Sequence, residues 1–436
     1  MKLAFHSDTV KHSLSAHAAI GLLAGALLYL VCLSGTVLVL YEEWQRIEQP
    51  AAPEMDSIAP AAVQRAVEKV LASEAGETPT THLYVHMPVA ELPRATVTTD
   101  HQAVHVDADG DPVMPEENLW SEFLYALHYR LNLPTLVGIT LVGALGALMV
   151  ALALSGVLAH PRIFRDAFRL RARQTGGVAL ADWHNRLSVW SLPFSLAIAV
   201  TGAGIGLASI SAYAMAQGRY GGDVERVYAP LFGEEPAEDP APAPIPDVAA
   251  ALDHMQANHP GISVTYAILH DPGTEGQHVQ IVGAHPGRLI FGEYYAFDAQ
   301  GNFRGTAGLA DGALGQQAAA STYNLHFGNY GGLPVKLAYM IFGLALTAIC
   351  ATGTYIWLGK RRRRGHEEPR LLGAWHGVVW GAPAALVLTL LARALLGNEA
   401  PFTAIFWLAQ LAAIAAGVLA AAPARGRTTA TPSTSS

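Results

Sequence analysis

The chain has 436 residues, of which 51% are hydrophobic and only 14% are Asp, Glu, Lys or Arg, and its formal net charge is −8. Globular proteins average about 25% charged residues, so this composition excludes a disordered chain and argues against an ordinary soluble enzyme. The negative net charge argues against a nucleic-acid partner. The two cysteines, Cys32 and Cys350, lie in apolar runs, so the sequence offers neither a disulfide framework nor a four-cysteine metal site.

Six apolar runs are long enough to cross the roughly 30 Å hydrocarbon core of a bilayer. They cover residues 14–41, 135–159, 187–212, 333–358, 374–396 and 402–422. Lys336 and Arg393 lie near the ends of their runs, where long side chains can snorkel. The first run is too long for the core of a signal peptide, so we expect it to be retained. The sequence therefore predicts an α-helical integral membrane protein that lies among membrane lipids.

Basic residues predict the orientation. Five arginines lie between 162 and 173, after the second run, and KRRRR at 360–364 follows the fourth. The positive-inside rule places both loops and both termini in the cytoplasm, so 42–133 and 213–332 are expected on the periplasmic side of a bacterial inner membrane. The predicted segments are the N-terminus with span 1 (1–41), an outer module (42–133), span 2 (134–160), an arginine-rich loop (161–183), span 3 (184–212), a second outer module (213–332), span 4 (333–358), a basic loop (359–371), spans 5 and 6 (372–396 and 402–422) and a disordered tail (423–436).

Each outer stretch has the pattern of one helix followed by a small antiparallel sheet. Residues 60–75 and 246–258 have helical periodicity, and short strand-like stretches follow each of them. The last strand-like stretch of the first outer stretch contains a DADGD turn, and that of the second contains a DAQGN turn. The sequence therefore predicts two α+β modules, one in each outer stretch.

Four histidines stand at matching distances from a Ser/Thr-Gly pair. His17 and His184 precede such a pair by seventeen residues, and His128 and His326 precede one by 27 and 26 residues. We interpret spans 1–2 and 3–4 as two parallel repeats, which an axis along the membrane normal would relate. That axis would point His17 and His184 at one centre on the cytoplasmic side. It would point His128 and His326 at another on the periplasmic side, at the far end of spans about 30 Å long.

Histidine pairs on facing helices favour haem. Two axial imidazoles are a natural ligand set for a b-type haem. Zinc and copper sites usually add carboxylates, cysteines or clustered histidines, and the spans contain no carboxylate and no HxxxH motif. No CxxCH motif is present for covalent attachment. His160 could replace His17 or His184 in the inner pair, and His376 is a further candidate. The sequence leaves the choice between these inner ligands open.

Several motifs resemble a known family, the PepSY-associated transmembrane-helix proteins, also called iron-regulated membrane proteins. The motifs are FLYALHYRLNLP, SGVLAHPRIFRDAFRLR, DWHNRLSVWSLPF, YNLHFGNYGG and ATGTYIWLGKRRRR, and the resemblance covers about residues 10–365. It implies that the outer stretches are PepSY-like modules. The segment from LLGAWHGVVWGAP onward departs from the family pattern.

The resemblance implies a function, because members of this family include inner-membrane ferric-siderophore reductases. It implies two b-type haems that carry electrons from the cytoplasm to a periplasmic ferric siderophore. The family's histidine positions carry over onto His17, His128, His160, His184 and His326. The alternatives are a PepSY sensor or regulator that binds a periplasmic peptide or protein, and a transporter of metal or siderophore.

Two further expectations concern substrate and electron donor. Trp120, Tyr125, Tyr129, Tyr323 and Tyr330 flank the outer histidines and could line a docking surface. No GxGxxG motif is present, so a nicotinamide or flavin would have to be bound by a partner.

Overall fold

The computed structural model describes residues 6–160, 162–168, 178–233, 236, 239–285, 287–290 and 292–421. Among these residues, six helices are long and apolar enough to cross a membrane, which confirms the predicted number of spans. Most of the arginine-rich loop's basic residues, at 169–173, and the tail at 423–436 lie outside the described residues.

The described helices follow one another along the chain as six long spans and eight shorter helices. They are α1 (Ser7–Leu38), α2 (Tyr41–Glu48), α3 (Pro60–Ser73), α4 (Leu119–Arg130), α5 (Thr135–Ala159), α6 (Ile163–Asp166), α7 (Val178–Trp190), α8 (Leu192–Arg219), α9 (Glu225–Phe232), α10 (Val248–Asn258), α11 (Leu314–Phe327), α12 (Gly332–Arg363), α13 (Pro369–Leu396) and α14 (Phe402–Ala420). The spans are α1, α5, α8, α12, α13 and α14.

The strands of both outer stretches form one antiparallel sheet. They are β1 (His82–His86), β2 (Ala95–Thr98), β3 (Ala103–Val106), β4 (Pro112–Pro115), β5 (Ser263–His270), β6 (His278–Ala284), β7 (Glu293–Phe297) and β8 (Phe303–Thr306). The strand order is β4-β3-β2-β1-β5-β6-β7-β8. The two predicted modules therefore share a sheet, because β1 pairs with β5, with Leu83 opposite Leu269.

One face of this sheet forms a hydrophobic core with the helices α3 and α10. Leu83 and Val85 of β1, Leu269 of β5 and Ile281 of β6 are fully buried there, packed with residues of α3 and α10. Because side chains alternate along a strand, the opposite face carries the residues in between, many of which are histidines and tyrosines. They include His82, Tyr84 and His86 on β1, Tyr266 and His270 on β5, and His278 on β6.

Breaks in the helices separate His128, His184 and His326 from the spans that follow them, whereas His17 lies within α1 itself. His128 lies on α4, which ends before Leu131 and Asn132, at φ 52° and 55°, and before Pro134. His326 likewise lies on α11 rather than on α12. Both histidines therefore lie on short helices that directly precede the spans α5 and α12. His184 lies on α7, and Pro193 in the first turn of α8 lacks the amide that would continue that helix.

The described chain divides into two compact units. The first comprises Met1–Leu33, Ala151–Leu192 and Leu344–Ser436, and the second comprises Ser34–Val150 and Pro193–Gly343. In the second unit Lys336 does not snorkel as expected, since its side chain is only 3% exposed. Its ammonium instead donates to Glu42 at 3.1 Å and to Glu43 at 2.8 Å, and the two carboxylates compensate its burial.

Candidate functional site with two histidine pairs

The first unit brings His17 and His184 together. His17 lies in the third turn of α1 and His184 in the middle of α7. Their ring centres are 6.5 Å apart and the ring planes are at 86° to each other. Of the three histidines between which the sequence left the inner pair open, these are the two whose rings face each other.

The second unit brings His128 and His326 together in the same way. Their ring centres are 6.1 Å apart, with 32° between the planes. Burial, with a smaller contribution from nearby His128, lowers the pKa of His326 to about 3. His326 is therefore neutral at physiological pH, which is the form in which imidazole binds a metal.

Both separations fit one metal ion between two imidazoles. A metal–nitrogen distance of about 2.0 Å, with roughly 1.1 Å from each nitrogen to its ring centre, puts the centres of two opposed rings about 6 Å apart. Within the described part of the chain, no group of three or more His, Cys, Asp or Glu side chains could hold a metal ion. Two nitrogen ligands fit an iron whose other four ligands come from a porphyrin. The residues present thus fit a haem in each unit.

In His17, His184 and His326 the ring nitrogen Nδ1 lies within hydrogen-bond distance of a hydroxyl. His184 Nδ1 and Thr352 Oγ1 are 2.9 Å apart, and His326 Nδ1 and Thr201 Oγ1 are also 2.9 Å apart. Each threonine hydroxyl donates to the carbonyl four residues earlier. The hydroxyl must therefore accept from Nδ1–H, which leaves the lone pair on Nε2. His17 Nδ1 donates to the carbonyl of Leu152 at 3.0 Å and lies 3.3 Å from the hydroxyl of Ser155.

This bonding sets the orientation of each ring. A histidine that ligates a metal through one nitrogen commonly donates from the other nitrogen to a protein acceptor, which fixes the tautomer and raises the basicity of the ligand. Ser155, Thr201 and Thr352 fill that role for His17, His326 and His184. The sequence offered the signal, since each hydroxyl belongs to a Ser/Thr-Gly pair, but counting residues does not show that the hydroxyl contacts a histidine ring.

The glycine after each hydroxyl lies under the ring itself. A Cβ atom built on Gly35 would be 2.5 Å from Cε1 of His128, and one on Gly202 would be 3.0 Å from Cε1 of His326. Cβ atoms on Gly156 and Gly353 would be 3.2 Å from His17 and 3.6 Å from His184. The absence of a side chain thus makes room for each ring.

The other histidines lie elsewhere. His160 lies directly after α5, where its backbone amide donates to the carbonyl of Val157 and its carbonyl accepts from the amide of Ile163. His376 lies on α13 with its ring centre 5.4 Å from that of Tyr355. On the sheet, His82, His270 and His278 are opposite one another on three adjacent strands.

The aromatic residues near the outer pair are only partly available for docking. Trp120 is 2% exposed and packs edge-on against Trp44, with ring centres 5.3 Å apart. This corrects its expected place on a docking surface. Tyr125 and Tyr129 stack at 5.3 Å, and Tyr323 and Tyr330 are both exposed.

Comparison with known proteins gives two results. Residues 14–360 match the family described as PepSY-associated TM region. A protein of Pseudomonas aeruginosa, described as uncharacterised, is 29% identical over 274 residues, which are 60% of this chain and 70% of that protein. The family match includes all four paired histidines and His160, and it ends before α13 and α14.

Proposed function

The chain belongs to the family described as PepSY-associated TM region, and on this premise we propose that it is an inner-membrane oxidoreductase with two b-type haems. It would pass electrons from the cytoplasmic side to a ferric siderophore in the periplasm. The observation that carries the proposal is that two pairs of imidazoles, one in each unit, have ring separations of 6.5 and 6.1 Å. Such pairs suit six-coordinate iron, which supplies one-electron transfer when bound.

The repeated contacts support an internal duplication of the helix pairs. His17 of the first half packs on Gly156 of α5, as His184 of the second half packs on Gly353 of α12. In the same way, Gly35 of α1 lies under His128, and Gly202 of α8 lies under His326. Each half of the chain therefore uses the same device, in which a histidine of one helix is held by the Ser/Thr-Gly pair of another.

The chain's own residues have three tasks in this proposal. The four histidines would hold the iron atoms, and the hydroxyls of Ser155, Thr201 and Thr352 keep the rings of His17, His326 and His184 oriented and their Nε2 unprotonated. The burial of the pairs keeps water away and tunes the potential. No base or nucleophile is needed, because hard oxygen chelators hold Fe(III) far better than Fe(II) and one electron therefore releases the metal.

Haem content tests the proposal. The purified full-length protein should be red, should contain two haems per chain and should show a sharp reduced α-band. His128→Ala and His326→Ala should each lose about half of the haem, because the intact pair in the other unit keeps its own. His101→Ala is the matched control, since His101 lies on an exposed turn of the sheet, and its haem content should equal that of the unchanged protein.

A colourless protein, or full haem occupancy in both variants, would contradict the proposal. A colourless protein would favour a PepSY sensor or regulator that binds a peptide or protein, or a transporter. In both of those alternatives the histidine pairs would only pack.

A further inference from the structure

The fifth span, α13, is hydrogen-bonded to α1, which carries His17, and to α12, whose Thr352 contacts His184, although α13 lies beyond the family match. In the first unit, the indole of Trp375 donates to the carbonyl of Ala351 on α12 at 3.1 Å. The hydroxyl of Tyr29 on α1 donates to the carbonyl of Val379 at 2.7 Å. Trp375 and Tyr29 are both buried. These bonds fix α13 in register beside α1 and α12.

The residue next to Trp375 points a different way. His376 is exposed on the surface of the chain, and its ring centre is 5.4 Å from that of Tyr355 on α12, with 43° between the planes. Trp380, one turn further along α13, is 72% exposed. An imidazole, a half-buried phenol and an indole thus lie on the outside of two membrane spans.

His376 and Tyr355 lie at similar distances from the ends of their helices. His376 is seven residues from the start of α13 and Tyr355 is eight residues from the end of α12, which at 1.5 Å per residue places both about 10–12 Å from the helix ends that flank the basic loop. An ionisable side chain in a span is costly in lipid and by default indicates a functional site. Because His376 is exposed and both residues lie within spans, the ring of an amphipathic lipid in the membrane could reach His376 and Tyr355.

Tyr355 is also close to the inner pair along α12. It is one helical turn after Thr352, whose hydroxyl holds Nδ1 of His184. A small aromatic molecule seated on His376 and Tyr355 would be one turn of helix from a residue that orients a candidate iron ligand. This is a suitable place for electrons to enter, and the sequence contains no nucleotide-binding GxGxxG motif that would serve a soluble donor.

We propose that His376 and Tyr355 bind the head group of a lipid-soluble 1,4-hydroquinone, which is the electron donor of the protein. This inference rests on the function proposed above. The quinol loses two electrons and its two hydroxyl protons and becomes the quinone. The imidazole of His376 accepts one proton and water accepts the other. The two electrons would pass singly to ferric haem iron held by His17 and His184, so that each quinol would account for two Fe(III) to Fe(II) reductions. Tyr355 donates its phenol hydrogen to a quinone oxygen and positions the ring.

Quinone binding is measured on the full-length protein in lipid nanodiscs. The probe is decylubiquinone, and the readout is quenching of tryptophan fluorescence, to which Trp375 and Trp380 contribute. We expect saturable quenching that His376→Leu weakens at least tenfold and Tyr355→Phe weakens several-fold. His366→Leu is the control, because His366 is an exposed histidine in the neighbouring basic loop, and it should bind like the unchanged protein.

Electron entry is measured with decylubiquinol as the reductant and the haem α-band as the readout. His376→Gln, which keeps a hydrogen bond but removes the base, should bind quinone yet be reduced at least tenfold more slowly, while dithionite should reduce every variant fully. Unchanged binding and reduction in both His376 variants and in Tyr355→Phe would overturn the inference. So would a red protein that decylubiquinol does not reduce, which would leave the proposed function standing. A colourless protein would instead remove the proposed function, and quinone binding would still decide whether the site exists.

Discussion

At the scale of single residues, the two glycines in one turn of α8 differ sharply in what surrounds them. A Cβ on Gly202 would be 3.0 Å from the ring of His326, whereas a Cβ on Gly204 would have nothing within 4 Å. We therefore expect Gly202→Ala to displace the ring and to lower the haem content of the outer pair several-fold. Gly204→Ala, the matched control, should leave haem content unchanged, because alanine suits a helix better than glycine does.

The spectrum of the purified variants separates the two outcomes. If Gly202→Ala keeps two haems per chain with an unshifted α-band, the glycine has no role in seating His326. If both alanine variants lose haem, the loss reflects general damage to α8.

The sequence identifies these residues but not their partners. The spacing of the four histidines and the Ser/Thr-Gly pairs is visible by counting, and it suggested the two histidine pairs that the structure brings together. It related His17 to the Ser-Gly pair of its own helix, whereas the structure packs His17 on Gly156 of α5. Distance along a helix does not say which neighbouring helix a ring faces, so this contact could not be predicted.

At the scale of elements, the spans, α3, α10 and the strands follow from apolar length and from periodicity. The helices α4 and α11 were not predicted: the predicted spans 2 and 4 begin only at residues 134 and 333, and the segments before them are too short to be recognised as spans. The joining of β1 to β5 also could not be predicted. Edge strands of two modules present the same pattern whether or not they pair.

The sheet is the element whose stability should depend on pH. His105 is 3% exposed, and its Nε2–H donates to Gln49 while its Nδ1 accepts from Thr96, so the neutral ring is fully bonded. Burial, together with nearby Arg94 and His86, lowers its pKa to about 4. Burial and its histidine neighbours likewise lower the pKa of His270 to about 3.

The sign of the effect follows from where protons bind. An unfolded histidine has a pKa of about 6.5, so below that pH the unfolded chain binds protons that the folded sheet excludes. The stability that His105 and His270 contribute is present above pH 6.5 and is lost as the pH falls towards 4. Glu116 acts in the opposite direction. Burial raises its pKa to about 7, so its contribution is present below its ordinary value of 4.5 and is lost as the pH rises towards 7.

Hydrogen exchange of peptides from β2 and β5 in the full-length protein measures this dependence. Protection should fall as the pH is lowered from 6.5 to 4. For each proton that the unfolded chain binds and the folded sheet does not, the free energy of unfolding falls by up to about 1.4 kcal/mol per pH unit. His105→Gln should reduce the slope, because one linked proton is gone. The same slope in His105→Gln would show that His105 does not titrate on unfolding, and His101→Gln on the exposed turn serves as the control.

At the scale of the whole molecule, the account requires electrons to enter at one histidine pair and leave at the other. The composition and the six runs predict a membrane protein, and six helices have the length and composition of spans. The direction of electron flow depends on which side each pair faces. That was predicted only from the basic loops, of which the structure describes Lys360–Arg364 fully and the arginine-rich loop only in part.

Ferric-chelate reduction by sealed, right-side-out vesicles tests this central claim most directly. A membrane-impermeant ferric hydroxamate is placed outside, the membrane is loaded with decylubiquinol as the electron donor, and external Fe(II) is recorded. The account predicts Fe(II) from the unchanged protein and from the control His366→Ala. It predicts almost none from His184→Ala or His326→Ala, although each of these variants keeps the haem of its intact pair and dithionite still reduces that haem. Undiminished Fe(II) from His184→Ala, in vesicles shown to lack the inner haem, would contradict the account.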